Sequence, residues 1–93
     1  MTTPTTFTRQ DARRVASELG ILWHTVEFDL EQFRLGLEVE LEHGSRDTDT
    51  DVTGDDPILT GKIALAHLRE LPDYYTRLAQ MESQAEAAAA VAR

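Results

Sequence analysis

Residues 28–44, FDLEQFRLGLEVELEHG, place the strongest constraint on how this chain can fold. Within them, residues 35–42 alternate apolar and polar side chains, as a half-buried strand does. Over the longer stretch, however, apolar residues recur at helical intervals of three and four: Leu30, Phe33, Leu37 and Leu41. Glutamate and leucine favour helices, and glutamate disfavours strands. The segment is therefore predicted to be a helix.

Both ends of this helix carry typical boundary signals. Asp29 is a good N-cap, and Gln32 stands where it would complete a capping box. Phe28 and Phe33 have the spacing of a hydrophobic staple. Gly44 supplies a C-terminal stop. These signals agree with the helical interpretation and predict a helix that ends near residue 43.

A first helix is expected over residues 8–20. Thr8 or Thr6 can cap its N-terminus, and Gly20 can end it. Its apolar stripe contains Ala12, Val15, Ala16 and Leu19. The linker that follows, ILWHTVEF, is β-branched and aromatic, so we expect it to be extended or irregular and to cover the core.

Two more helical segments are expected in the second half of the chain. The third helix, PILTGKIALAHLREL, starts at Pro57 with Asp56 as its N-cap. It is apolar on most sides and should be the most buried. Pro72 ends or kinks it, and a fourth segment, PDYYTRLAQMESQ, follows. The Ala-rich tail, residues 83–93, should extend this last helix and fray.

The sum is an all-α fold, a single small domain of three or four helices over residues 1–93. Residues 1–7 are expected to be loosely ordered. A long acidic loop, SRDTDTDVTGDDP, separates the second and third helices. Its alternating aspartates resemble a calcium loop, but an EF-hand needs glycine and glutamate where Val52 and Ile58 stand. An acidic turn rich in capping residues is the simpler interpretation.

Charge and composition restrict the possible partners. Seventeen acidic against nine basic residues give a net charge of -8, which disfavours nucleic acids and anionic membranes as partners. There is no cysteine, no long apolar run and no signal-peptide pattern at the N-terminus. We therefore expect a soluble cytoplasmic protein. Because small domains often depend on oligomerisation, we expect a homodimer.

Two pairs of residues could bind a metal ion. Glu40 and His43 form a Glu-x-x-His pair, and His67 and Glu70 form its mirror image. Residues three apart share a helical face, so each pair offers an imidazole nitrogen and a carboxylate. Such pairs on facing helices build the di-metal sites of helical bundles, and mixed oxygen and nitrogen ligands suit iron, manganese or zinc. These four residues are the predicted metal ligands.

Backbone geometry sets a condition on this site. If helices two and three pack antiparallel with adjacent ends, the two pairs lie roughly 10 to 15 Å apart. A shared site then requires either that the long loop offsets the helices or that a second subunit brings the pairs together. In the alternative interpretation His43 only caps a helix C-terminus, and His67 is hydrogen-bonded in the core. Tyr75 and Glu82, on the fourth helix, are second-tier candidates for the site.

Several blocks of this sequence resemble a family of short bacterial and phage proteins of unknown function. The blocks are FDLEQFRLGLEVELEHG, TDVTGDDP and DDPILTGKIALAHLRELPDYYTRLAQME. The resemblance covers residues 28–82 and leaves out the first helix and the Ala-rich tail. It implies no activity. It does imply a family signature made of Glu40, Glu42, His43, His67, Glu70 and residues 72–75. A weaker analogy to ferritin-like di-metal proteins rests on the two Glu/His pairs alone.

The sequence thus predicts a small helical protein that binds a transition metal, with no enzymatic activity assigned. The competing hypothesis is a non-catalytic interaction module without metal, such as a phage-derived adaptor. In that hypothesis the fourth helix docks a protein partner through an apolar face of tyrosine, leucine and methionine. Its key residues are Tyr74, Tyr75, Leu78 and Met81.

Overall fold

The computed structural model describes residues 7–92, which form four α-helices and two short 3₁₀ turns, with no strand among these residues. The helices are α1 (Arg9–Glu18), α2 (Leu30–Glu40), α3 (Pro57–Glu70) and α4 (Tyr74–Ala92). The 3₁₀ turns are Trp23–Thr25 and Leu41–His43. The all-α prediction is confirmed. The expected looseness of residues 1–6 lies outside the described residues, but Phe7, grouped with them, is buried in the core.

Helix α1 is delimited by local signals at both ends. The Thr8 hydroxyl accepts the main-chain N–H of Asp11, and the Asp11 carboxylate accepts the N–H of Thr8. Together these bonds form a capping box. At the other end Gly20 takes a positive φ of 77°, and the N–H of Ile21 donates to the carbonyl of Ala16. This is a Schellman termination, which favours glycine.

The stretch LGLEVELEHG is helical, as predicted. Asp29 caps α2 by accepting the N–H of Gln32, and the rings of Phe28 and Phe33 stack with centroids 6.4 Å apart. The predicted capping box is only half formed, because the Gln32 side chain turns instead to the hydroxyl of Thr76 on α4. The last turn of the segment tightens into the 3₁₀ turn Leu41–His43.

The connection from His43 to α3 folds back on itself. The carbonyl oxygen of His43 accepts the N–H groups of Val52 and Thr53 at 2.7 and 3.2 Å. Asp55, which has a positive φ of 67°, accepts both the main-chain N–H and the hydroxyl of Ser45. These bonds hold the loop against the end of the turn that carries His43.

The core is centred on α2, where Phe33 and Leu37 are fully buried. Helix α3 contributes mostly small buried residues: Thr60, Gly61, Ala64 and Leu68. The prediction that α3 is the most buried helix is wrong, because four of its 14 residues are buried, against four of the 11 residues of α2. The close approach of α1 explains the glycine at position 61. A Cβ atom at Gly61 would lie 2.7 Å from Cγ1 of Val15, closer than packed carbon atoms allow.

Helix α4 is divided between a packed and an exposed half. Tyr75 is buried, whereas every residue from 79 to 91 is exposed. The Ala-rich tail extends the helix to Ala92, as expected. Within the described part of the chain, no helix combines the length and apolar character needed to cross a lipid bilayer.

Candidate functional site

A buried carboxyl group lies at the centre of the candidate site. Glu40, in the last turn of α2, is only 3% exposed. Its Oε2 atom accepts a 2.7 Å hydrogen bond from the hydroxyl of Tyr75. Its Oε1 atom is buried and has no hydrogen-bond partner among the described residues. A buried polar atom without a partner costs about 1–3 kcal/mol, so this oxygen needs an explanation.

Gly36 makes the contact between Tyr75 and Glu40 possible. A Cβ atom at residue 36 would lie 2.6 Å from Cε2 of Tyr75 and 2.9 Å from Cβ of Ala64. The phenol ring of Tyr75 therefore lies directly against the main chain of α2 at Gly36. Its hydroxyl meets Glu40 one turn further along the same helical face. Burial, followed by the bond to Glu40, raises the pKa of Tyr75 above its usual range. The phenol consequently stays neutral and acts as a donor.

His67 approaches Glu40 from α3. Its Nε2 atom lies 3.6 Å from Oε2 of Glu40. The imidazole stacks on the ring of Tyr74 with centroids 4.3 Å apart and an interplanar angle of 6°, and it meets the Tyr75 ring edge-on. Two neighbouring aromatic rings at the start of α4 thus fix the orientation of His67.

His43 approaches the same carboxyl group from the other side. Its Nε2 atom lies 3.5 Å from Oε1 of Glu40, the oxygen that has no hydrogen-bond partner. The side chains of His43 and His67 are 44% and 33% exposed. The two imidazoles therefore stand between the buried carboxyl group and solvent.

The other predicted site residues lie further out. Glu70 is 78% exposed, and its Oε1 atom is 3.9 Å from Nδ1 of His67, the ring nitrogen on the other side from Nε2. Glu82 is exposed on α4, two turns beyond Tyr75. Tyr75, a second-tier candidate in the sequence, contacts Glu40 directly. The stacking of Tyr74 on His67 was not foreseen, because spacing along one helix does not reveal contacts between helices.

The two Glu/His pairs meet within one chain. The backbone estimate of roughly 10 to 15 Å counted only the rise per residue. It left out the length of the side chains and their tilt towards the N-terminus of their own helix, which together shorten the distance between the functional groups. Glu40, His43 and His67 come together without a second subunit. The expected homodimer therefore needs another reason, and it stays a prediction.

The arrangement offers two imidazole nitrogens and one carboxyl group, with the imidazoles partly exposed to solvent. Among residues 7–92, no group of three or more His, Asp or Glu side chains stands close enough together to hold a metal ion as the side chains lie. Any ion shared by these residues would therefore require the partly exposed imidazoles to turn.

Comparison with known families agrees with the sequence resemblance. A family described as "Protein of unknown function (DUF5661)" matches residues 12–84. The chain belongs to this family. The match begins inside α1, so the first helix, which the resemblance left out, is largely part of the family unit, whereas the end of α4 lies beyond it. No curated protein and no solved structure shows significant similarity to the chain.

Proposed function

We propose that this protein binds one divalent transition-metal ion, iron, manganese or zinc, through Glu40, His43 and His67. The observation that carries the proposal is the buried Oε1 atom of Glu40, which has no hydrogen-bond partner and faces the Nε2 atom of His43 at 3.5 Å. A bound cation would compensate this oxygen, because buried carboxylates are normally paired or coordinate metals.

The distances between the candidate ligand atoms support the proposal. Ligand atoms at about 2.1 Å from a tetrahedral ion lie about 3.4 Å from one another. The Nε2 atom of His43 is 3.5 Å from Oε1 of Glu40, and the Nε2 atom of His67 is 3.6 Å from the other oxygen, Oε2. Each imidazole thus has this separation from the carboxyl group, and at least one of them would turn to share an ion with the other. The partly exposed His43 can turn towards a shared ion without a change in the core, whereas His67 would have to shift against the rings of Tyr74 and Tyr75.

The donor set favours a site with open coordination positions. Two histidines and one carboxylate are the protein ligands of many catalytic zinc sites and of non-haem iron(II) sites. Glu70 would then accept a hydrogen bond from Nδ1 of His67 without touching the ion, because metal-bound histidines commonly donate the N–H of their second ring nitrogen to a carboxylate. We assign no reaction to the site.

Two simpler roles explain less of the geometry. If His43 only capped the helix end, Oε1 of Glu40 would stay without a hydrogen bond, since its 3.5 Å contact with His43 is too long for one. If His67 only completed a buried polar network, a hydrogen bond shorter than its 3.6 Å contact with Glu40 would be expected. Neither role supplies a partner for Oε1. The cytoplasmic location and the homodimer expected from the sequence remain predictions.

Metal titration of the chelator-treated, untagged protein tests the proposal. Wild type should take up one ion of Zn²⁺, Mn²⁺ or anaerobic Fe²⁺ per chain and gain thermal stability, which chelator reverses. Glu40→Gln, which keeps an acceptor for Tyr75, should weaken binding about tenfold or more, as should His67→Ala. His24→Ala, which changes an exposed histidine outside the site, is the matched control. No uptake by wild type, or equal losses in the control, would refute the proposal.

A further inference from the structure

A groove lies on the surface formed by α1 and the segment that leads into α2. Five residues line it: Arg13, Trp23, Phe28, Asp29 and Leu30. Trp23 is the only tryptophan of the chain and is 37% exposed. Its ring packs edge-on against Phe28 and Phe33, with centroids 6.0 and 6.3 Å apart. The core therefore holds the indole in place and leaves part of it open to a partner.

One side of the groove carries the positive charge of Arg13. Residues 9–14 contain three arginines and one aspartate, in a chain whose net charge is -8. Arg14 pairs with Asp11 at 3.0 Å, but Arg13 forms no ion pair within residues 7–92. Asp29 also lines the groove, where it accepts the N–H of Gln32 as the cap of α2 and forms no ion pair with Arg13. The groove thus joins an apolar floor to an available guanidinium group.

The distal half of α4, residues 79–92, has an apolar side chain and negative charges that complement the groove. Residues 79–91 are all exposed, and Met81 is 54% exposed. Within residues 79–92 the charged residues are Glu82 and Glu86, with no basic residue. Most helical stability in proteins comes from tertiary packing, which this exposed half lacks within one chain. The exposed half of α4 therefore combines an apolar residue, two negative charges and a need for packing.

We propose that the distal half of α4 docks in the Trp23 groove of a second copy of the same chain. Met81 would lie on the indole of Trp23, since thioethers contact aromatic rings favourably. Glu82 or Glu86 would pair with Arg13. Each molecule has one such groove and one such helix. In a two-fold symmetric dimer, the helix of each molecule would occupy the groove of the other, so the assembly stops at two chains. This proposal does not depend on metal binding, since none of its residues belongs to the site around Glu40.

The chain carries its own reporter for this contact. As the only tryptophan, Trp23 alone determines the indole fluorescence. On raising the protein concentration from micromolar to millimolar, sedimentation should show a change from monomer to dimer. The indole emission should shift to the blue over the same concentration range, because docking covers the ring. Both measurements use the full chain.

Charge exchange provides the decisive variants. Glu82→Lys with Glu86→Lys should raise the dimer dissociation constant about tenfold or more, and so should Arg13→Glu. Combining the three changes should restore association, because the helix would then carry the positive charges and the groove the negative charge. Gln80→Lys, an exposed change on the same helix, is the control for added charge. All these positions are exposed, so the fold should persist and can be checked by circular dichroism.

Three results would overturn the proposal. One is a wild type that stays monomeric at millimolar concentration, which would leave the groove for a different partner. Another is a dimer whose formation leaves the Trp23 emission unchanged, because a different face would then be buried. The third is a triple variant that associates no better than the separate charge reversals.

Discussion

The hydroxyl of Tyr75 donates a 2.7 Å hydrogen bond to Oε2 of Glu40, across a sequence separation of 35 residues. This bond joins the start of α4 to the end of α2 and fixes one oxygen of the central carboxyl group. The other oxygen, without a partner, faces His43. The fold therefore holds a carboxyl group rigidly in the interior and presents it to two imidazoles.

Replacing Tyr75 with phenylalanine should destabilise the protein by about 1–3 kcal/mol, because Glu40 then loses its one hydrogen bond in a buried position. Urea denaturation at neutral pH measures this loss. Tyr74→Phe is the matched control, since it keeps the ring stacked on His67 and removes a hydroxyl with no hydrogen bond to the described residues. If both variants unfold at the same urea concentration, the bond to Glu40 does not stabilise the fold.

Replacing Gly36 with alanine should displace the Tyr75 ring, because the added Cβ would lie 2.6 Å from its Cε2 atom. We expect a destabilisation of about 1–3 kcal/mol, together with weaker metal binding. Gly61→Ala is the comparison, since its Cβ would meet Val15 at 2.7 Å, away from the site. Calorimetric metal titration separates the two variants: equal losses of affinity would show that Gly36 acts through general stability alone.

Asp55 should make stability depend on acid pH. The hydroxyl and then the main-chain N–H of Ser45 lower the pKa of Asp55 below its usual value of 3.8. Its stabilising effect is therefore complete above that value and is lost as the pH falls through the lowered pKa. Asp55→Asn, which tolerates the positive φ of this residue, should flatten the decrease in stability on acidification.

Urea midpoints measured from neutral to strongly acidic pH test this dependence. Asp49→Asn is the control in the same loop, because the Asp49 carboxylate has no hydrogen bond to the described residues, whereas Asp55 has two with Ser45. At neutral pH Asp55→Asn should be less stable than the control. The urea midpoints of Asp55→Asn and of the control should converge at strongly acidic pH. Parallel curves for wild type and Asp55→Asn would contradict the role given to Ser45.

The sequence predicted the helices well because their boundary signals are local. The capping box of Thr8, the glycine termination at Gly20 and the Asp56–Pro57 start of α3 each depend on residues within a few positions. The same logic resolved the stretch LGLEVELEHG, where helical spacing over a longer window outweighed a short alternation. Gln32 departed from its predicted role because a long-range partner, Thr76, competed for its side chain.

The candidate site was predictable in its residues but not in its geometry. Glu40, His43 and His67 were identified from their spacing and do lie together. Their meeting depends on the close packing of α2 against α3, where a Cβ atom at Gly36 would lie 2.9 Å from Cβ of Ala64, and no local pattern reveals this contact. The exposure of Glu70 was also not predictable, because the spacing of residues along α3 does not show which of its faces the other helices cover. Contacts between helices decided both outcomes.

The central claim is that Glu40, His43 and His67 share one metal ion, and histidine nitrogen spectra test it most directly. The chain has three histidines, so His24 is an internal reference. On titration with Zn²⁺, proton–nitrogen correlation spectra should show the Nε2 resonances of His43 and His67 moving together and saturating at one ion per chain. The resonances of His24 should stay in place. Shifts of all three histidines alike, or of none, would contradict the claim.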